Sequence, residues 1–244
     1  MFIGIGTIIN VVAILCGAGV GVLVGSKLKA HTRDLITDIL GLVTLLAAAG
    51  ALTALWSQRY ISAFPSGWPL LVVLSSLLIG GLLGSALHLD ERLEKAGESL
   101  RKKFGASGES PFVEGFVSSS LLFVIGPLAI LGSISDGMGN GIDQLILKST
   151  LDFFAAIAFA ASLGWGVGAS AIPVAMYQGL WTLIGLGLGS ILLDYQIDAM
   201  TVVGGLLLVA IGLRLLKIRE IAVGNLLPCL AVAPLIAWGV HLLK

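Results

Sequence analysis

Apolar residues fill this chain in long runs, and short polar stretches separate them. Eight such runs lie at about 3–25, 35–56, 69–88, 112–133, 146–168, 171–193, 199–216 and 220–242. A helix needs about 20 apolar residues to cross the hydrocarbon of a bilayer, so each run is of spanning size. The ten-residue alternation of a membrane barrel is absent. The pattern therefore predicts an all-α fold: a polytopic transmembrane helical bundle of seven or eight spans. Only Gly168–Ile172 separates the fifth run from the sixth, so seven spans plus a re-entrant piece is the alternative count. The fourth and eighth runs contain Pro127, Pro228 and Pro234 and are expected to be kinked or broken.

One stretch occurs twice. Residues 21–52 align without a gap on residues 185–216, with nine identities in 32 positions at the constant offset that carries Gly21 to Gly185. The scarcer residues weigh most, and Asp34 and Thr37 answer to Asp198 and Thr201. Each copy is an apolar helix end, a polar turn and a second apolar helix. Self-similarity at a fixed spacing in a membrane protein raises the question of an inverted repeat. Repeat one would cover about 1–88 and repeat two about 171–244, with central segments over about 112–168, all in a single transmembrane domain, 1–244.

Lysine and arginine placement fixes an orientation. Lys27, Lys29 and Arg33 follow the first run; Arg92, Lys95, Arg101, Lys102 and Lys103 follow the third; Arg214, Lys217 and Arg219 lie between the seventh and eighth. The alternate loops hold only Arg59. With eight spans all three basic regions are cytoplasmic and both termini are external. The turn of the first copy then lies inside and that of the second outside, which is the inverted relation. Residues 89–104 form the one clearly amphipathic segment, with Leu89, Leu93, Ala96, Leu100 and Phe104 on its apolar face; an interfacial helix on the cytoplasmic leaflet is expected. Gly105–Pro111 follows as a flexible linker. Ile3–Val24 lacks a basic leader and reads as a retained span, not a signal peptide.

Composition agrees with this picture. Hydrophobic residues make up 57% and charged residues 11%, mean hydropathy is +1.04, and the net charge is zero. The lipid bilayer is the expected partner and nucleic acid is not. Thirty-three glycines suit close helix packing, within one chain or in a homodimer. Cys16 and Cys229 both lie in apolar runs and read as buried small hydrophobes.

No soluble-enzyme motif is present: no Walker A loop, no His-Glu-x-x-His, no paired Cys-x-x-Cys. No catalytic residue, metal site or cofactor is expected, and the chain does not read as an enzyme. His31, His88 and His241 fall near helix ends and read as interfacial groups. Polar residues inside spans carry more information, because charge in a membrane is expensive. Lys148 and Asp152 stand at i and i+4 on one helical face. They form either a self-neutralising pair at the outer interface, with Lys148 snorkelling to water, or an internal anchor for an ion or solute. If a proton or cation is coupled, Asp152 is its carrier. Pro127 followed by Gly132, Ser133, Ser135 and Asp136 suggests either an unwound, oxygen-lined break or an ordinary kink. Asn10, Gln178 and Asn225 are amides in apolar surroundings, fit for interhelical hydrogen bonds or for lining a path. Asp34 and Asp198 are expected to cap helix starts.

Several motifs together resemble a known family. They are Gly6-Thr7-Ile8-Ile9-Asn10, Phe112-Val113-Glu114-Gly115-Phe116, Gly132-Ser133-Ile134-Ser135-Asp136-Gly137, Lys148-Ser149 with Leu151-Asp152, Ala171-Ile172-Pro173-Val174 with Tyr177-Gln178-Gly179, Met200-Thr201-Val202-Val203-Gly204-Gly205 and Val223-Gly224-Asn225-Leu226-Leu227-Pro228. Their order and spacing are similar to those of the bacterial YqgA/YdfK-type membrane proteins, a domain-of-unknown-function family. The resemblance covers essentially the whole chain and departs at Pro127-Leu128, where the family pattern often has Ala-Met. It implies a bacterial inner-membrane protein of about seven or eight spans and brings no substrate. The functional expectation is a secondary transporter or channel for a small solute or ion, with Asp152, Lys148, Ser133, Asp136, Asn10, Gln178 and Asn225 along the path. A non-transporting scaffold or sensor is the alternative.

Overall fold

The computed structural model describes residues 2–103, 111–188 and 192–243, and every regular element among them is helical. In chain order these are α1 (Ile5–Gly25), α2 (Ala30–Leu52), the short α3 (Gln58–Ile61), α4 (Trp68–Ala86), α5 (Leu89–Lys103), α6 (Phe112–Val124), α7 (Pro127–Gly137), α8 (Asp143–Leu163), the single turn α9 (Gly166–Ala169), α10 (Ala171–Leu188), α11 (Asp194–Leu215) and α12 (Cys229–His241). Seven helical stretches are long and apolar enough to cross a membrane, and the bent pair α6–α7 makes an eighth if it counts as one span. Several helices start earlier than their apolar runs. Acidic residues such as Asp143 and Asp194 sit in first turns, where the positive end of the helix dipole favours them. Phe104, the linker at 105–110 and the repeat residues Gly189 and Ser190 lie outside the described residues.

The chain forms two compact units, Met1–Leu40 with Glu94–Ile191, and Gly41–Leu93 with Leu192–Lys244. In the first, α1 lies along α8. Gly17, Gly21 and Gly25 rest on the backbones of Phe153, Ile157 and Ala161 respectively, so both residue series ascend together and the two helices are parallel. Glycine at every fourth position removes the side chains that would hold the backbones apart. On the other side of this unit, α10 crosses α7: Gly185 sits on Ile134 and Gly137 on the carbonyl of Thr182. Gly21 and Gly185, equivalent in the repeat, thus each close on the backbone of a central helix. Gly97 of α5 packs against Val113 and Phe116 of α6, so part of this amphipathic helix faces protein.

The fourth run is broken beside Pro127, as the sequence suggested, but the small residues after it do not unwind. α6 and α7 are bent by 63° at Ile125–Gly126, where Gly126 has φ 140°. Pro127 opens α7, a position where its missing N–H costs nothing. Gly132–Asp136 stay helical, and Ser133 Oγ donates to Ala129 O within the same helix. The turn after α8 is likewise at Gly164, with φ 77°, and not at 168–172.

In the second unit α2 and α11 are antiparallel. Gly41 rests against Leu216, Gly212 against Leu45, and Gly205 against Ala51 and Leu52. α4 also runs antiparallel to α12 and to the 3-10 helical turn Val223–Leu226 that precedes it, Gly80 meeting Cys229 and Gly84 meeting Asn225. Asn225 Oδ1 accepts from Asp90 N at 3.0 Å, while Asp90 Oδ1 accepts from Gly224 N at 2.8 Å, a reciprocal cap for two helix starts. Asp198 is the fifth residue of α11 and does not cap it. Its enclosed carboxylate accepts from Arg59 at 2.7 and 2.8 Å and from Ser57 at 2.7 Å. Asp34, the fifth residue of α2, is likewise past the helix start. Cys229 is enclosed as expected, but Cys16 lies on an exposed face of α1.

Candidate functional site

The expected path residues of the first unit lie on α1, α7, α8 and α10. α8 supplies the charge. Lys148 Nζ donates to Asp152 Oδ2 at 2.6 Å, and the two residues are only 6% and 7% exposed. Asp152 is the tenth of 21 residues in α8. At 1.5 Å per residue it stands about 14 Å from the helix start. Both charges are enclosed by protein, where pairing is what makes them tolerable.

α1 adds Asn10, which is fully enclosed. Its Nδ2 donates to the same Asp152 Oδ2 at 3.0 Å, and its own Oδ1 has no partner. One and two turns further along α8 sit residues of the same buried stripe, Ala156 and Ala160, whose small side chains let α1 approach closely enough for this bond. Ser149 Oγ donates to Leu145 O and is satisfied within α8.

α10 contributes Gln178, also fully enclosed, with neither amide atom partnered. It lies on the buried stripe Ala171, Val174, Gln178, Thr182 and Gly185. Thr182 Oγ1 and, on α1, Thr7 Oγ1 are enclosed and unpartnered as well. Each such group kept dry costs about 1–3 kcal/mol, so native folds keep few of them. α7 contributes Asp136, whose two carboxylate oxygens accept from Gly4 N at 3.1 Å and Gly6 N at 3.0 Å. This carboxylate caps the start of α1 from another helix and is offset by the positive end of that helix.

Of the seven expected path residues, the fold joins Asn10, Lys148 and Asp152 by direct bonds and buries Gln178 in the same unit. Asp136 is engaged in the cap and Ser133 in its own helix. Asn225 belongs to the other unit, in the cap with Asp90. Thr7 and Thr182 escaped the sequence reading, because a hydroxyl in a helix usually bonds the carbonyl four residues back and leaves no mark of its own. Their spacing from Asn10 and Gln178, three and four residues, was the available signal.

Fold and site thus define a polytopic helical membrane protein with a buried ion pair and unpaired amides inside one unit. The chain belongs to the family described as "Protein of unknown function (DUF554)", which matches residues 5–238. It is 30% identical over 236 residues to the "Uncharacterized membrane protein YdfK" of Bacillus subtilis (strain 168), covering 97% of this chain and 96% of that one. It is 32% identical over 238 residues to the "Uncharacterized protein YqgA" of Escherichia coli (strain K12), covering 94% of each. The family resemblance carried by the motifs is therefore correct. No solved structure matches the chain.

Proposed function

We propose that this protein is a secondary transporter or channel for a small solute or ion in a bacterial inner membrane, and not an enzyme. The observation that carries the reading is the Lys148–Asp152 pair, bonded to Asn10 and buried midway along α8. A hydrophobic pair of the same volume would serve packing at lower cost. Charge kept at that depth is the usual mark of a pathway.

Two further features support it. The contact of Gly41 with Leu216 and that of Gly205 with Leu52 exchange when each residue is replaced by its repeat equivalent. Such reciprocity is the signature of a two-fold relation, and between antiparallel helices it fits an inverted repeat of the kind that serves alternating access. Helix directions favour eight crossings. If α2 and α4 each cross once, α8 runs parallel to α1 only when α6–α7 crosses too. With eight crossings the basic loops fall inside and both termini outside.

The test is flux into liposomes containing the purified protein, with alkali cations, small anions, amino acids and neutral solutes as the panel. Flux of at least one member, abolished in Asp152→Asn while thermal unfolding stays cooperative, is the expected result. Flux indifferent to Asp152 removes this residue from the mechanism. A panel that never moves turns the reading to a scaffold or sensor.

A further inference from the structure

Of the side chains in the first unit whose enclosed polar atoms lack partners, four, Thr7, Asn10, Gln178 and Thr182, have backbone positions that place them together. Asp136 bonds Gly4 and Gly6, next to Thr7, while the adjoining Gly137 rests on the carbonyl of Thr182. The start of α1 and Thr182 therefore flank the end of α7. One turn back along α10 from Thr182 is Gln178, and one turn along α1 from Thr7 is Asn10. At this level the helices are neighbours: Val11 and Leu15 of α1 share a groove of about 450 Å³ with Ile172, Ala175 and Met176 of α10.

The chemistry of the group is uniform. Its unpaired atoms are amides and hydroxyls, which both give and take hydrogen bonds. The neighbouring charges are already offset, Lys148 by Asp152 and Asp136 by the start of α1. An ion entering here would lose its hydration and meet no free countercharge. An uncharged molecule with donors and acceptors would satisfy the four side chains at once. We infer that Thr7, Asn10, Gln178 and Thr182 bind a small uncharged polar solute, of the size and chemistry of urea, acetamide or glycerol. The inference rests on the transport reading and names its substrate class.

Stopped-flow light scattering on proteoliposomes tests it, with urea, acetamide and glycerol as probes and sodium, potassium and chloride as controls. The variants are Gln178→Met and Thr182→Val, which replace an unpartnered polar group with an apolar one of similar volume. At least one uncharged probe should enter faster than into protein-free liposomes. Its entry should fall about tenfold in each variant, the loss expected for one hydrogen bond to the solute, with the melting temperature unchanged or raised. Probe entry unaffected by both variants overturns the assignment. So does a lowered melting temperature in both, which would give the two side chains a structural bond. Ion flux that depends on Asp152, with no entry of the uncharged probes, overturns the substrate class and leaves transport standing. Faster water exchange alone overturns it too, and no movement of any probe or ion overturns both readings.

Discussion

Gly41 packs against the side chain of Leu216, and their repeat equivalents, Gly205 and Leu52, pack against each other. The two contacts lie on one antiparallel helix pair, so two close positions on α2 and α11 are set by the same rule. A side chain added at either glycine must displace a neighbouring leucine. Overpacking of this kind costs about 1–3 kcal/mol. Gly41→Leu and Gly205→Leu should therefore lower the melting temperature in detergent by similar amounts. Gly50→Leu is the control on the same helix, since nothing stands within 4 Å of that position. Its melting temperature should hold or rise, because leucine favours helix more than glycine does. A large effect at Gly41 alone would remove the reciprocity.

Much of this organisation was legible in the sequence because membrane helices announce themselves by length and hydropathy. The self-similar stretch stands out through Asp34, Thr37 and their counterparts at Asp198 and Thr201, although capping proved the wrong role for the aspartates. A carboxylate near a helix start has two outlets, the local amides or a distant cation. Only the fold brings Arg59 to Asp198. The break was legible in Pro127, and the chain bends directly before it at Ile125–Gly126, while the small residues after it stay helical. Proline disfavours helix in the residue before it, and glycine there can adopt a φ that other residues rarely reach. Lys148 and Asp152 were readable as an i, i+4 pair, but their enclosure depends on the helices packed around α8. Asn10 was named beside them as a path residue, but its bond to Asp152 rests on α1 and α8 being parallel neighbours, which the sequence does not show.

The Lys148–Asp152 pair separates the cost of burial from the cost of breaking. Lys148→Met leaves a carboxylate enclosed with only Asn10 for support. Removing one member of a buried pair costs about 3–5 kcal/mol. The double variant Lys148→Met with Asp152→Leu has no charge to strand and should regain most of that loss. Thermal unfolding of the three proteins in one detergent measures the difference. A double variant as unstable as the single would mean that the pair is needed for packing in its own right.

The ion pair of Arg59 with Asp198 is lopsided, with side chains 59% and 3% exposed. Losing the exposed member is the more costly change. Arg59→Gln strands a buried carboxylate with Ser57, at about 1–2 kcal/mol. Asp198→Asn leaves an arginine that water can solvate and an amide oxygen that still accepts from Ser57. Arg59→Gln should therefore lower the melting temperature further than Asp198→Asn. The reverse order would place the energetic weight on the arginine.

Tyr60 gives a pH dependence of known sign. Its ring is fully enclosed and its hydroxyl donates to Pro69 O at 3.1 Å. Burial first, and then the nearby Asp198 charge, raise its pKa well above the ordinary 10.0. Below pH 10 both folded and unfolded chains keep this proton, so Tyr60 adds no slope. Above it the unfolded chain releases the proton first, and stability falls by up to about 1.4 kcal/mol per pH unit. Tyr60→Phe should abolish that part of the alkaline decline, at a cost of about 1 kcal/mol near neutrality. Melting temperatures from pH 8 to 12 for the two proteins should converge as pH rises; parallel curves would assign the decline to other groups.

The direction of α8 makes a prediction about the turn that precedes it. α1 and α8 run parallel, with α2, α4 and the bent α6–α7 pair between them. Three crossings return the chain to the side where α1 began, and two do not. Asn140, exposed in the turn after α7, should then lie on the same side as the α3 region and opposite Ser26. Single cysteines at Asn140, Ser57 and Ser26, in a background without Cys16 and Cys229, can be labelled in whole cells with a membrane-impermeant maleimide. Ser57→Cys and Asn140→Cys should label from outside and Ser26→Cys only after permeabilisation. Labelling of Asn140→Cys with the Ser26 class would make α6–α7 a re-entrant pair. The parallel packing of Gly17, Gly21 and Gly25 on α8 would then need α2 or α4 to stay on one side of the membrane.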